Sequence, residues 1–234
     1  ENLRKKVSEA EAKVEDFRSK SSLFVGTNNT TLSNQQMGEV NTQLNNARAL
    51  KADGRKVFLD WKLHDIGATV EKATANLAGA GCDLLTVHAR PQVMAAARRG
   101  ADGSRLKVLG VTVLTSLTAE DLAADDHSLS AAELVEQRVR QALEAGIHGV
   151  VSSPHEASRA REIAAAAGRE DFLIVTPGVR PAGSAAGDQK RIATPSDAMR
   201  MGADYIVVGR PVAEAVDPVA AANAINAEIA EALG

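Results

Sequence analysis

The sequence predicts an α/β protein built on a parallel sheet. From Lys56 onward, short β-branched and apolar runs alternate with longer segments whose apolar residues recur at helical spacing. Glycines stand where the helical segments would end, at Gly81, Gly146, Gly168 and Gly202. Parallel strands need a long crossover connection, which is usually an α-helix. This alternation is therefore typical of successive βα units.

The individual elements follow in order along the chain. Six strands are predicted, at Val57–Asp60, Leu84–His88, Val108–Leu114, Gly149–Ser152, Phe172–Thr176 and Tyr205–Gly209. Helices are predicted at Ile66–Ala80, Pro91–Arg99, Ala131–Ala145, Pro154–Ala167, Pro195–Met201 and Val212–Leu233. A closed barrel needs eight strands, so the N-terminal part would have to contribute, with Ser22–Gly26 as one candidate. An open, doubly wound sheet is the alternative architecture.

Composition changes near residue 47, and most asparagines lie before it. Apolar residues there recur at alternating spacings of four and three, which predicts a short helix with a coiled-coil-like seam. The seam consists of Leu3, Val7, Ala10, Val14 and Phe17. We therefore divide the chain into an atypical helical segment, residues 1–46, and a barrel domain, residues 47–234.

Charge and cysteine content limit the partners and the compartment. The formal net charge is -3 and the pI is about 6.0, so neither nucleic acid nor a membrane surface is expected as a partner. Cys82 is the only cysteine, which excludes an internal disulfide and is compatible with a reducing cytoplasm. No apolar run is long enough to span a bilayer, and the polar start does not resemble a signal peptide. We expect a cytoplasmic protein.

A charged motif lies where the first predicted strand ends. Residues two apart on a strand face the same way, so Asp60 and Lys62 should point together into a barrel mouth, with Asp65 just beyond. Parallel barrels build their active sites at this end of the strands. From spacing alone, a solvated salt bridge remains an alternative.

The motif Asp60-x-Lys62-x-x-Asp65 and the segments that follow it resemble orotidine 5'-monophosphate decarboxylases. Further matching segments come in the family's order, at Leu85–Ala89, Leu109–Ser116, Val151–Glu156, Thr176–Gly183, Gly187–Arg191 and Val208–Pro211. The resemblance runs from about Ala47 to the C-terminus and implies a TIM (β/α) barrel of the ribulose-phosphate-binding type. In this chain that barrel would be either incomplete or built with a substituted N-terminal βαβ portion.

The resemblance implies cofactor-free decarboxylation of orotidine 5'-monophosphate to uridine 5'-monophosphate, in de novo pyrimidine biosynthesis. Lys62 would protonate C6 of the pyrimidine, and Asp60 would lie beside the substrate carboxylate. Members of the family form homodimers with shared active sites, so Asp65, Ile66 and Thr69 would serve the partner subunit.

Further substrate contacts are implied by the same resemblance. They are Ile66, Thr69, His88, Ser116, Pro177, Gly178, Val179, Arg180, Gln189, Gly209 and Arg210. A physical argument supports the last three, because the loops after the last two strands of such barrels often hold phosphate. His88 is also expected to bond neighbouring carboxylates. His64 and His155 have no second ligand at metal-binding spacing, so no metal is expected. That no cofactor is needed is implied by the resemblance.

The sequence also departs from the family pattern. Gly67 and Ala68 stand where the family has Pro and Asn, and neither the first-strand aspartate nor the second-strand lysine is found. Residues 14–36 instead resemble the helical region of polysaccharide chain-length regulators of the exopolysaccharide-export type. Our hypothesis is that residues 1–46 are a foreign or rearranged segment, and we expect a large loss of rate.

Three other functions remain open on sequence grounds. The first is a metal-dependent sugar-phosphate decarboxylase of the same superfamily, against which the Thr176–Gly183 segment argues. The second is a catalytically impaired barrel that binds a nucleotide or phosphate. The third is an assembly module led by the N-terminal helix. Metal dependence, or nucleotide binding without release of carbon dioxide, would distinguish them.

Overall fold

The computed structural model describes residue 42 and residues 44–124, 128–181 and 193–234. The chain divides into two compact units, Glu1–Arg55 and Lys56–Gly234. The described part of the first unit includes a helix over residues 44–52. The predicted N-terminal seam, the candidate strand Ser22–Gly26 and the predicted phosphate contact Gln189 all lie outside the described residues.

The second unit is organised around one sheet of six parallel strands. They are β1 (Phe58–Leu63), β2 (Leu84–His88), β3 (Lys107–Val111), β4 (Gly149–Val151), β5 (Leu173–Thr176) and β6 (Tyr205–Ile206). Each strand pairs with the next one along the chain, in the order β1 to β6. In a doubly wound sheet the spatial order of the strands reverses at a switch point. The uninterrupted order seen here is instead that of a barrel wall. The predicted barrel-type α/β fold is confirmed.

The sheet curves so that its two outer strands approach one another. A cavity of about 350 Å³ is lined both by Phe58 of β1 and by Tyr205 and Ile206 of β6. Leu109, Val111, Val151 and Val175 form a buried cluster on one face of the sheet, and further, partly buried apolar residues pack against it. The packed residues are Phe58, Leu84, Leu173 and Val207. Side chains of all six strands or their immediate continuations therefore line a common interior.

Helices follow the strands. They are α1 (Gly67–Gly79), α2 (Pro91–Gly100), α3 (Ala119–Ala124), α4 (Ala131–Glu144), α5 (Pro154–Ala166), α6 (Pro195–Arg200), α7 (Arg210–Ala213) and α8 (Pro218–Leu233). Proline lies in the first turn of α2, α5, α6, α7 and α8, where its missing N–H breaks no helical hydrogen bond. Ser130 and Glu133 begin α4 with a reciprocal capping box. None of the described helices combines the length and apolar character that a bilayer crossing requires.

Two helix predictions are corrected. Helix α3 was not expected, and it begins where Thr118 and Asp121 exchange hydrogen bonds of 2.7 and 3.2 Å. The single helix predicted at Val212–Leu233 is instead α7 followed by α8. The break occurs because the Asp217 carboxylate caps the new helix and Pro218 disfavours a helical residue before it.

Strand ends also differ from the prediction. β1 continues to Leu63, whereas β3 stops at Val111 and β6 at Ile206, short of the predicted Leu114 and Gly209. Their neighbours set these limits. β4 ends at Val151, so β3 has little left to pair with, and β5 is followed by Pro177, which has no N–H to extend the ladder.

Candidate active site

The backbone of β1 is irregular at the predicted catalytic motif. Leu59 pairs with Leu85 and Leu63 pairs with Val87, so β1 uses more residues than β2 over the same stretch. The excess is taken up as a bulge that contains Lys62, whose φ is 49°. Lys62 is the sole non-glycine residue with positive φ in the described ranges. Such a conformation is costly and is characteristic of functional sites.

Hydrogen bonds hold this bulge in place. Lys62 Nζ donates to Asp60 Oδ2 at 2.6 Å, and the Lys62 backbone N–H donates to Thr86 Oγ1 at 2.9 Å. The Thr86 hydroxyl in turn donates to Asp60 Oδ1 at 2.9 Å. Asp60 and Lys62 therefore point together, as predicted, but through a bulge rather than through regular strand alternation.

Asp60 and Lys62 open onto a cavity of about 230 Å³ at the carboxyl ends of the strands. The other lining residues are mainly apolar and come from β1, β3, β4 and the segments that follow β3, β5 and β6. They are Phe58, Val111, Val113, Leu114, Thr115, Ser116, Val151, Pro177 and Val207. A charged pair at the edge of an apolar pocket suits chemistry in which charge develops away from bulk water.

Of the other predicted contacts, Ser116 and Pro177 lie in this cavity, whereas the end of the motif does not line it. Asp65 is exposed and its Oδ1 accepts the Ile66 N–H at 2.6 Å. Ile66 is 72% exposed, an unusual state for a large apolar side chain, and Thr69 is exposed in the first turn of α1. These three residues form a surface next to the site.

His88 ends β2 but does not line the cavity. Its ring centroid lies 5.0 Å from that of His64. Burial lowers the pKa of His88, and the nearby positive charges of His64, Arg138, Arg90 and Lys62 lower it further. The expectation that carboxylates would bond His88 is not met among the described residues, where burial and the charges of Arg138, Arg90 and Lys62 favour the neutral ring.

The segment after β5 turns at Gly178, with φ of 75°, and bridges to Ala193 through Val179 and Arg180. Arg180 is only 8% exposed, and its Nε is buried with no hydrogen-bond partner. Neither Gly178, Val179 nor Arg180 lines the cavity of Lys62.

Gly209 and Arg210 follow β6 and begin α7, and both are exposed. Neither lines the cavity of Lys62, although Val207 just before them does. The phosphate anchor assigned to these residues stays a prediction. Within the described ranges, His, Cys, Asp and Glu form no group of three that could hold a metal.

Sequence reasoning missed two residues near the site. Thr86 bonds both members of the charged pair, and its signal was a polar residue inside an otherwise apolar strand. Arg138 on α4 donates from Nη1 to the Thr112 carbonyl, just before the segment that lines the cavity. Burial lowers the pKa of the Arg138 guanidinium, as does the positive charge of Arg90.

Comparison with known proteins identifies the family. A family model described as "Orotidine 5'-phosphate decarboxylase / HUMPS family" matches residues 7–225, a range that begins within the segment 1–46. The orotidine 5'-phosphate decarboxylase of Caulobacter sp. (strain K31) is 60% identical over 184 residues, which cover 79% of each chain. That of Rhodopseudomonas palustris (strain BisA53) is 57% identical over 183 residues, which cover 78% of this chain and 76% of the relative.

Solved structures agree. The orotidine 5'-phosphate decarboxylase of Lactobacillus acidophilus has a TM-score of 0.67 and 37% identity, with 80% of each chain covered. That of Pyrococcus horikoshii OT3 has a TM-score of 0.61 and 26% identity, with 81% of each chain covered. The parallel barrel wall, the Asp60–Lys62 pair at its carboxyl end and these matches lead to one conclusion: the chain belongs to the orotidine 5'-phosphate decarboxylase / HUMPS family.

Proposed function

We propose that this chain decarboxylates orotidine 5'-monophosphate to uridine 5'-monophosphate in pyrimidine biosynthesis, with Lys62 as the proton donor. The observation that carries the proposal is the 2.6 Å contact between Lys62 Nζ and Asp60 Oδ2 at the edge of a largely apolar cavity. The names of the relatives support the substrate, and the range matched by the family model, residues 7–225, includes this pair.

The proposed reaction needs no electron-sink cofactor. The bond between C6 and the carboxylate carbon breaks, carbon dioxide leaves, and the electron pair stays on C6. The ammonium of Lys62 stabilises that negative charge and then transfers a proton to C6, after which solvent reprotonates the amine. Asp60 orients the ammonium and, beside the substrate carboxylate, raises the energy of the bound ground state.

The remaining contacts would bind the rest of the nucleotide. We assign Ser116 and Pro177 to the pyrimidine because both line the cavity. The further contacts implied by family resemblance are His88, Gly178, Val179, Arg180, Gln189, Gly209 and Arg210. Of these, Arg210 is exposed at the start of α7, where a guanidinium can reach a phosphate. Binding energy from the phosphate would then contribute to turnover.

Turnover of orotidine 5'-monophosphate tests the proposal directly. We expect Lys62→Ala to lose about 10⁴-fold in kcat, because the charge stabilisation and the proton donor are lost together. Lys72→Ala, which removes an exposed lysine of α1, is the matched control and should behave like the parent. Binding of uridine 5'-monophosphate should persist in both variants.

Each alternative function has its own outcome in the same assay. Binding of uridine 5'-monophosphate without release of carbon dioxide would identify a binding barrel, and loss of turnover in a chelator would favour a metal-dependent sugar-phosphate enzyme. Because the family's first-strand aspartate and second-strand lysine were not found in the sequence, we expect turnover well below that of the relatives. Equal turnover would contradict that expectation.

We also propose a homodimer with shared active sites. Exposed Ile66 beside Asp65 supports this, since a partner subunit would cover an apolar side chain that is otherwise 72% exposed. If Asp65 serves the partner's site, Lys62→Ala and Asp65→Ala should each be inactive alone. Mixing them should restore about one quarter of the parent activity, because a mixed dimer has one intact site. No recovery after subunit exchange would refute shared sites.

A cytoplasmic location is part of the proposal. Cys82 is buried and is not part of a disulfide, which is compatible with a reducing compartment. Activity in the cytosolic fraction after cell fractionation would support this location, and activity confined to a membrane or periplasmic fraction would contradict it.

A further inference from the structure

Thr86 is the buried link between the two charged residues of the site. Its side chain is 0% exposed, in the middle of β2. Its oxygen accepts the Lys62 backbone N–H, and its hydroxyl hydrogen is donated to Asp60 Oδ1, each at 2.9 Å. The single hydrogen of the Thr86 hydroxyl is therefore donated to the Asp60 carboxylate. One lone pair of the same oxygen accepts the backbone N–H of Lys62.

We propose that Thr86 is a positioning residue for the decarboxylation, fixing Asp60 and the strained backbone of Lys62 in the geometry in which the ammonium faces the cavity. This inference rests on the proposed function and deepens it. Thr86 does not line the cavity and does not touch the reacting atoms in this mechanism; it acts through its two neighbours.

The exposure of the ion pair explains why a third group is needed. The side chains of Lys62 and Asp60 are 36% and 47% exposed. A pair this open to water is weak and leaves both side chains free to take other rotamers. Thr86 is fully buried and fixed by its strand, so its hydrogen bond sets the direction of one carboxylate oxygen and leaves the other toward Lys62.

The bulge gives Thr86 a second task. Because the register between β1 and β2 slips at the motif, the Lys62 N–H donates to a side chain instead of to a β2 carbonyl. The Thr86 oxygen thus replaces a ladder hydrogen bond at the residue whose φ is 49°. Without the Thr86 hydroxyl, the Lys62 N–H would lose the acceptor that it has in the structure. The left-handed backbone conformation of Lys62 would then lose an interaction that stabilises it.

The alternative is that Thr86 has only a packing role, as a β-branched residue in a strand. Two substitutions separate the roles. Thr86→Val keeps the shape and removes the hydroxyl, whereas Thr86→Ser keeps the hydroxyl and removes a methyl group. Thr74→Val is the matched control, because Thr74 is also 0% exposed but its hydroxyl donates to the Val70 carbonyl within α1.

The experiment measures kcat and KM for orotidine 5'-monophosphate and the Kd of uridine 5'-monophosphate. We expect Thr86→Val to lower kcat by about 10- to 100-fold, while KM and Kd change less than about threefold, because positioning affects the transition state more than binding. Thr86→Ser and Thr74→Val should stay within about threefold of the parent. If Thr86→Val does not fold, Thr86→Ala makes the same comparison without the added methyl group.

Parent-like kcat in Thr86→Val would overturn the inference, as would an equal loss in Thr86→Ser. A crystal structure of Thr86→Val provides a readout that does not depend on turnover. We expect the Asp60 carboxylate to rotate and Lys62 to leave positive φ, and an unchanged site would refute positioning. A parent that binds the nucleotide but releases no carbon dioxide would instead refute the proposed function, and the structural comparison would still decide the role of Thr86.

Discussion

Gly149 is the position where one added methyl group should do most damage to the sheet that carries the site. It begins β4 and pairs with Leu173 of β5. A Cβ built at Gly149 would lie 2.2 Å from the Leu173 carbonyl oxygen and 2.7 Å from its Cβ, whereas real Cβ contacts stay beyond 3.0 Å. The first of these atoms belongs to the backbone of a neighbouring strand, so a side-chain rotation cannot relieve the clash.

Gly149→Ala must therefore separate β4 from β5. Overpacking costs about 1–3 kcal/mol, and weakening the nearby 2.9 Å bond from the Leu173 N–H to the His148 carbonyl adds about 1 kcal/mol. We expect the free energy of unfolding to fall by about 2–4 kcal/mol. With a urea m-value of about 2 kcal/mol/M, the midpoint should move down by about 1–2 M. The fluorescence of the single tryptophan, Trp61 in β1, reports the transition.

Gly79→Ala is the control for this prediction. Gly79 ends α1, and a Cβ there would meet nothing within 4 Å. This variant should be as stable as the parent or more stable by up to about 1 kcal/mol, because alanine favours a helix over glycine. Unfolding midpoints for Gly149→Ala that match those of the parent would refute the argument from close approach.

Three further predictions concern the described core. Burial, and then the charges of Arg98, Lys107 and Arg169, lower the pKa of His148 from 6.5, and its Nδ1 accepts the Val108 N–H at 3.0 Å. His148 is thus harder to protonate in the folded state than in the unfolded state. The free energy of unfolding should therefore be highest above pH 6.5 and should fall as the pH drops through the folded-state pKa. In His148→Asn, which cannot titrate, the urea midpoint should depend less on pH. Leu109→Ala, in the interior cluster, should cost about 2–5 kcal/mol in the same unfolding assay. Cys82, 3% exposed, should react with a thiol reagent only as fast as the protein opens, measured as labelling rate against urea.

Each of these three has a contradicting result. An unchanged pH dependence in His148→Asn would mean that protonation of this ring does not contribute. A loss below about 1 kcal/mol for Leu109→Ala would indicate that the interior is loosely packed, and Val219→Ala on exposed α8 provides the surface comparison. Immediate stoichiometric labelling of Cys82 in native buffer would contradict its burial.

Much of the sheet could be predicted because its signals are local. Apolar runs and glycine stops predicted all six strands, and proline lies in the first turn of five of the described helices. The strand ends could not be predicted, because the neighbouring strand sets them. β6, for example, stops at Ile206 because Pro177, which follows β5, has no N–H to donate to the next position of the ladder.

The candidate site, like the sheet, could be predicted only in part. The spacing of Asp60 and Lys62 predicted that they point together, and the structure brings them to 2.6 Å. The bulge that brings them together could not be predicted, because the motif contains no glycine or asparagine that would signal a left-handed residue. Thr86 supports that residue from a different strand, 24 positions away. Hydrogen bonds between distant segments leave no periodic trace in the sequence.

The left-handed φ of Lys62 lowers the stability of the fold at the position that carries the proposed proton donor. A glycine there would adopt the same backbone at no steric cost and should relieve about 1 kcal/mol of strain. It would also remove the only ammonium group among the described residues that line this pocket. Selection for thermal resistance alone would favour discarding the lysine, so its retention in a lineage would itself be a sign that the reaction still matters.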